Sequence, residues 1–455
     1  MKRIVLIAFC ALLLCACRPT PEAEPVVNKA ENVMEDAIAA SAAPGGSFET
    51  PARWTETVKI NDNLSLTIDV PVECGDGDAH PVYLVSRRRM DADFLKRWAQ
   101  AVYPDITGIR KPGESLAELQ AELLKIERGE WMGTDADGNA VFEPYDPEEK
   151  QAMIDAVMQR IDALPAETTD QPLAPGYLYL QSDPLALHRS DGSVVRLTGF
   201  DAETGSLAQL DANRDAAVQK ERWILEERGD LAGGPGPVTG ISISQRQAED
   251  AAREILERFG RTDFALAYAE KARCVSSFPN WGEIVSAGWM LYFTPTADGS
   301  VACCYDEQDA GEARLSREAF SAGWRQEVVR FYITDRGVEQ AAYTNPYTVG
   351  ETVNEAVALL PFSEIQERIR KMLQYGYAWT GAYDPDDSGV GRKLIVTRVA
   401  LSSALVPKKD DPAHAYLIPA WTVYYISEHG QSHDGDTHVL IFNAIDGSVI
   451  DPQGN

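Results

Sequence analysis

The 455-residue sequence predicts an α+β fold of antiparallel sheets, each packed by helices. Three observations lead there. Short stretches alternate apolar and polar residues with the period of a half-buried strand. Longer stretches repeat apolar residues at spacings of three and four, the stripe of an amphipathic helix. In the C-terminal half these elements recur in one order used twice, a helix followed by three strands. A helix laid on one face of an antiparallel sheet accounts for both periods.

The chain opens with Met1, Lys2 and Arg3 before an apolar run over residues 4–15, a charged n-region and a short h-region. The run falls short of the roughly 20 apolar residues that a bilayer-spanning helix needs. Polar sequence follows at Arg18, Pro19, Thr20 and Pro21, so cleavage is expected. Leu14-Cys15-Ala16-Cys17 resembles the lipobox of bacterial lipoproteins. The resemblance implies a signal peptide over residues 1–16, lipidation at Cys17, and a mature protein anchored on the extracytoplasmic face of the cell membrane. A thioether-linked diacylglyceryl group brings two acyl chains, enough for stable anchoring. Residues 17–50, rich in Pro, Ala and Glu, read as a lipidated cysteine and flexible tether with a reach of roughly 30 Å.

Folded sequence begins near Trp54. An N-terminal α+β domain is expected over 51–232, with strands at 55–60, 64–70 and 82–86 and helices at 91–102, 115–128 and 147–164. Further strands at 177–181 and 194–199 precede a charged helix at 207–227. Gly233-Gly234-Pro235-Gly236-Pro237 marks the linker. Two similar units are expected at 238–345 and 346–455. In the first, Ser244 and Gln247 form a capping-box pattern, Ala248, Ala251, Ala252, Ile255, Leu256 and Phe259 line a helix, and Gly260 stops it. Strands follow at 264–275, 289–294 and 328–334, the last turning at Asp335-Arg336-Gly337. In the second, Ile365, Ile369, Met372 and Leu373 line a helix ending at Gly376. Strands at 394–406, 417–425 and 439–444 follow, with a turn at Asp446-Gly447. Trp289 and Trp421 fall at matching places and read as paired core anchors.

This order, with a last strand turning at Asp-x-Gly or Asp-Gly as in Phe442-Asn443-Ala444-Ile445-Asp446-Gly447-Ser448-Val449-Ile450-Asp451, resembles the PepSY module of secreted and cell-surface proteins. The lipobox, Pro51-Ala52-Arg53-Trp54 and Tyr416-Leu417-Ile418-Pro419-Ala420-Trp421 together resemble clostridial lipoproteins grouped as a family of unknown function. The PepSY resemblance implies a small α+β fold with a binding or regulatory role, and it carries over no catalytic residue.

Composition bounds the partners. With 42 basic against 70 acidic residues the formal charge is −28, which excludes nucleic acid as a partner by repulsion from its phosphates. Beyond Cys17, the cysteines Cys74, Cys274, Cys303 and Cys304 permit two disulfides in three connectivities. Joining the adjacent Cys303 and Cys304 would strain the intervening peptide.

His429, His433 and His438 crowd, with carboxylates, into residues 428–438 and offer donors to a divalent ion. Gly430 and Gly435 nevertheless make that segment read as a mobile hairpin loop. Asp384 and Asp386 belong to the first half of an EF-hand-like loop, but Ile395 stands where the bidentate glutamate is needed, so an acidic turn is expected. Asp135-Ala136-Asp137-Gly138-Asn139 reads as a turn. No metal or cofactor is expected. Arg87-Arg88-Arg89 is a basic island just before a helix, a solvated face with an anion or partner contact as its alternative.

There is no Gly-x-Ser-x-Gly elbow, no His-Glu-x-x-His and no phosphate-cradling glycine loop. The expected function is therefore a non-enzymatic surface lipoprotein that binds a protein, peptide or envelope polymer. A carboxylate-based, glycosidase-like envelope hydrolase is one alternative. A solute-binding lipoprotein is another, disfavoured because consecutive strands dominate the C-terminal half.

Overall fold

The computed structural model describes residues 33–39, 49–61, 64–74, 79–110, 116–134, 140–163, 185–191, 193–202, 205–213, 222–226, 238–276, 283–297, 300–301, 324–377, 392–429 and 432–450. After a short helix α1 (Val33–Ala39), the chain lays down β1 (Arg53–Asn61), β2 (Leu64–Glu73) and β3 (Val82–Arg87). It then crosses to a second body. This runs α2 (Ala92–Val102), β4 (Ile106–Arg110), α3 (Leu116–Arg128), β5 (Glu130–Thr134), β6 (Ala140–Pro144), α4 (Pro147–Asp162), β7 (Leu185–Arg189), β8 (Val194–Ala202), β9 (Gly205–Asn213) and β10 (Arg222–Glu226). It continues with α5 (Gln245–Phe259), β11 (Phe264–Ser276), β12 (Glu283–Ala297), β13 (Ser300–Val301), β14 (Val328–Thr334) and β15 (Gly337–Thr344). The chain returns to the first body with β16 (Tyr347–Asn354), α6 (Phe362–Tyr377), β17 (Arg392–Pro407), β18 (His414–His429), β19 (Ser432–Asn443) and β20 (Val449–Ile450).

The larger sheet has ten strands, ordered β10-β11-β12-β14-β15-β9-β8-β7-β4 with β13 on β12. The smaller has eight, with β1-β2-β17-β18-β19-β20 in line and β3 bridging β18 to β16. Among the described residues all pairings are antiparallel except β2 with β17, where the β1–β2 hairpin docks parallel to a strand more than 300 residues on. β5 and β6 pair separately.

Residues 51–232 therefore do not form a domain of their own, as the sequence reading expected. Their first three strands complete the sheet built by the last hundred residues, β4 and β7 to β10 join β11 to β15, and β5 and β6 pair with each other. The large-sheet lobe is an insertion between β3 and β16. Those two strands pair antiparallel, Arg87 opposite Tyr347, which brings both ends of the insertion together.

Each lobe contains a helix followed by an antiparallel three-strand meander: α5 with β11, β12 and β14, and α6 with β17, β18 and β19. The capping box at Ser244 and Gln247 forms, and Gly260 adopts the left-handed cap. The stripe Ala248, Ala252, Ile255, Leu256 and Phe259 is buried against Leu291, Phe293 and Phe331. In the other lobe, Phe362, Ile365, Ile369 and Leu373 are buried against Leu66, Ile68, Val396, Trp421 and Phe442. The turn at Asp446-Gly447 requires glycine: Gly447 has φ +71°, and an added Cβ would run into the Arg368 guanidinium.

Other expectations are revised. Of the charged helix expected at 207–227, residues 207–213 and 222–226 are instead in strands β9 and β10, and 214–221 lie outside the described residues. Ala208, Leu210 and Ala212 are buried while Gln209 and Asp211 are half-buried, which is the period of a strand. Residues 428–429 and 432–438, expected as a loop, are instead paired strand, β18 running on to His429 and β19 starting at Ser432. The stretch 17–50 is not coil throughout. A helix as short as α1 is marginal alone. Ile38, 2% exposed, holds it in a cluster with Val82, Val357, Tyr416 and Ile418, and its carbonyl accepts Asn354 Nδ2 at 2.6 Å. Trp289 and Trp421 are not equivalent: Trp421 is fully buried, whereas Trp289 is half-buried and donates Nε1–H to the Ile243 carbonyl at 3.0 Å.

Candidate functional site

Among the sequence-predicted residues, Cys17, Cys303, Cys304, Asp384 and Asp386 lie outside the described residues, as do 135–139, 177–181 and 233–237. Cys74 is an exposed thiol just past β2, with Sγ 3.3 Å from Thr50 Oγ1. Cys274 is buried on β11. The backbones of His429, His433 and His438 lie on the β18–β19 hairpin, with His433 opposite Glu428 and His438 opposite Tyr425; their side chains lie outside the described residues. No group of three metal-ligating side chains occurs among the described residues, and no described helix is long and apolar enough to cross a membrane.

The basic island is where side chains converge on open space. Helix α2 begins just after it, capped by Asp91, whose carboxylate accepts the Phe94 N–H at 2.8 Å. Phe94, Leu95, Trp98 and Ala99 bury one face of α2, and Phe94 and Trp98 sit edge-on to Phe259 of α5 at centroid distances of 5.2 and 5.3 Å. This anchorage turns Lys96, Arg97 and Gln100 outward. Together with Arg88, Arg89, Asp91, Asp93 and Phe94 they line a cleft of about 640 Å³.

Two of its arginines are positioned by rings. The Arg88 guanidinium lies over Phe94 at 5.4 Å and that of Arg97 over Phe259 at 5.6 Å. Arg97 Nε also donates to the Asp93 carbonyl at 3.4 Å. Arg89 pairs with Asp201 of β8. Among the described residues no carboxylate pairs with Arg88, Lys96 or Arg97. Arg53, Arg189, Arg370 and Arg398 show the contrasting pattern, each held by an acid. In a chain of charge −28, leaving three cations uncompensated around one cleft favours an anion there. Guanidinium forks laid on rings lose little freedom when they grip a carboxylate or phosphate. Of the two acids in the cleft, Asp91 is committed to capping, so the lining suits holding an anion better than paired-carboxylate hydrolysis.

Sequence reasoning singled out Arg88 and Arg89 but missed Lys96 and Arg97. The available signal was a basic pair on the polar side of an amphipathic helix, two turns after the island.

A second charged group is closed and structural. Glu327, fully buried, accepts from Arg261 Nη1 at 2.7 Å and Nη2 at 3.2 Å and from the Tyr343 hydroxyl at 2.5 Å. Arg261 also donates to Asp263 at 2.8 and 2.9 Å. Burial raises the Glu327 carboxyl, and the Arg261 charge pulls it back. Burial also pushes the Tyr343 phenol well up.

Comparison with known proteins adds little beyond this geometry. No protein-family model matches the chain, and no curated protein matches it. Among solved structures, the chain is similar to an uncharacterized protein from Eubacterium rectale ATCC 33656, with 11% identity, 88% of this chain and 94% of that chain covered, and a TM-score of 0.45.

Proposed function

We propose that this is a lipid-anchored, extracytoplasmic binding protein of the cell envelope with no catalytic role, tethered through Cys17, whose arginine cleft takes an anionic group of a peptide, surface protein or envelope polymer. The observation that carries the reading is the trio Arg88, Lys96 and Arg97, uncompensated among the described residues at the mouth of one cleft. The leader and its lipobox support the anchor. The two helix-plus-meander units support the view that the body is built from PepSY-like repeats, a regulatory or binding module.

Titration calorimetry of the mature protein with inorganic pyrophosphate and with a hexaglutamate peptide tests the cleft. Arg88→Gln with Arg97→Gln is expected to lower affinity for whichever probe binds by roughly 100-fold or more, because two charge-assisted contacts are lost, each contributing about 1.5–3 kcal/mol, and 1.4 kcal/mol is tenfold. Equal affinity in the double variant, or no binding of either probe by the wild type, would sink it. For the anchor, the chain expressed with its leader is expected to gain acyl mass and partition with membranes. Cys17→Ala should do neither, and a membrane-bound mutant would contradict the lipoprotein reading.

A further inference from the structure

The cleft sits beside the two places where the chain passes between lobes. Residues 88–91 lead from β3 into α2, and residues 345–346 lead from β15 back into β16. The two crossings lie side by side, the Arg88 N–H donating to the Pro346 carbonyl at 2.9 Å. At the second crossing Asn345 has φ +48°, a left-handed backbone, and three hydrogen bonds fasten it to the large lobe. Its N–H donates to the Ser206 carbonyl at 3.0 Å, its Oδ1 accepts the Ser206 N–H at 3.0 Å, and its Nδ2 donates to the Gln326 carbonyl at 3.3 Å.

Other described contacts also join the lobes, among them β13 lying against β17 and Ala297 of β12 packed in one cluster with Val85, Leu405 and Leu417. Trp324, just before β14, sits among Val85, Tyr347, Leu405 and Leu417 of the small lobe, with the Arg87 guanidinium 4.8 Å above its ring. Arg398 of β17 reaches the Ala267 carbonyl of β11 at 2.8 Å while holding Glu73 at 2.7 Å. Where two lobes are joined by two adjacent crossings of the chain, relative motion is absorbed by a few residues at the element ends.

We infer that the arginine cleft controls this two-strand hinge: an anion gripped by Arg88 and Arg97 ties the first crossing to α2, and so to the large-lobe core, and stiffens the pivot between the lobes. This rests on the reading of the cleft as an anion site. It goes further by making the lobes' mutual freedom depend on occupancy. Met90 and Phe94, both buried in the large-lobe core, flank the first crossing on its α2 side, so a ligand fixing Arg88 has a rigid wall to fix it against.

Because coupling is reciprocal, loosening the pivot must weaken binding by the same factor by which binding stiffens the pivot. Asn345→Gly keeps a residue tolerant of φ +48° but removes the side-chain ties to Ser206 and Gln326, and Asn345 is not part of the cleft lining. Pyrophosphate affinity and amide hydrogen exchange are measured on the mature full-length protein, its Asn345→Gly variant and its Arg97→Gln variant. The expectation is a slowing of the Arg88 and Asn345 amides by about fivefold or more on pyrophosphate addition, and a comparable loss of affinity in Asn345→Gly, within the usual range of coupling energies. Arg97→Gln should weaken binding by roughly 10- to 100-fold and lose the slowing at a pyrophosphate concentration that saturates the wild type. If pyrophosphate binds the wild type but leaves those amides unchanged, or binds Asn345→Gly as tightly as wild type, the hinge inference is overturned and the anion site stands. If neither pyrophosphate nor hexaglutamate binds the wild type, the reading of the cleft falls and the hinge control falls with it; if hexaglutamate alone binds, the same outcomes are read with that peptide.

Discussion

Arg261→Met is expected to destabilise the protein by about 3–5 kcal/mol, the cost of leaving one partner of a buried ion pair without its counter-charge. Glu327 has no exposed surface, and Arg261 supplies two of its hydrogen bonds while also holding the Tyr343 hydroxyl at 2.7 Å. Its other ion pair, with Asp263, joins a half-exposed carboxylate and contributes little by comparison. Urea unfolding followed by tryptophan fluorescence measures the loss. The pH dependence separates a charge effect from a packing effect. Burial raises the Glu327 carboxyl above its ordinary 4.5. A raised carboxyl contributes its stability below the ordinary value and loses that contribution as pH rises through the raised one. Removing Arg261 raises it further, so the deficit of the variant should be largest near neutrality and shrink as pH falls towards 4.5. A deficit that does not change with pH would assign the loss to packing. Adding Glu327→Leu to Arg261→Met should recover much of the stability, since a well-packed apolar replacement of a buried pair is often neutral or better.

Trp421→Ala should cost a similar amount, about 3–5 kcal/mol, through the cavity left at the centre of the small lobe. Trp421 is fully buried on β18, meets Phe362 of α6 at a centroid distance of 4.6 Å and lies opposite Phe442 of β19. Its loss therefore loosens the helix and the meander together. Trp289→Ala, at the matching place in the large lobe, should cost markedly less, because Trp289 is half-buried and forfeits chiefly one hydrogen bond of about 1 kcal/mol and part of its ring contact. Denaturant midpoints for the two variants decide the matter. Equal losses would restore the two tryptophans as equivalent anchors and contradict their burial.

The difference between those tryptophans shows where sequence reasoning reached its limit. Period and capping chemistry are local, so α2 and α5 were legible almost to the residue, α5 from Ser244 as its cap to Gly260 as its stop, whereas the capping role of Asp91 came from the structure. The paired meanders were legible for the same reason, since strand alternation and the Asp335-to-Gly337 and Asp446-to-Gly447 turns are written in neighbouring residues. The misread helix over β9 and β10 came from charges at its edges that outweighed the alternation of Ala208, Leu210 and Ala212. The arginine cleft was half legible: Arg88 and Arg89 stood out as a run, but Lys96 and Arg97 join them only because Phe94 and Trp98 pin one face of α2 to the core.

By itself, then, the sequence determined the α+β class, most of the helices with the cap and stop of α5, the repeated helix-and-meander order and the acidic balance against which a basic cleft stands out. Only the tertiary structure decided that the first three strands belong with the last five, that the large sheet is inserted between β3 and β16, and that the cleft lies at the crossing. The physical reason is that pairing between strands hundreds of residues apart, such as Leu66 with Leu394, depends on which apolar faces find each other. Neither partner carries that choice in its own neighbourhood of the chain.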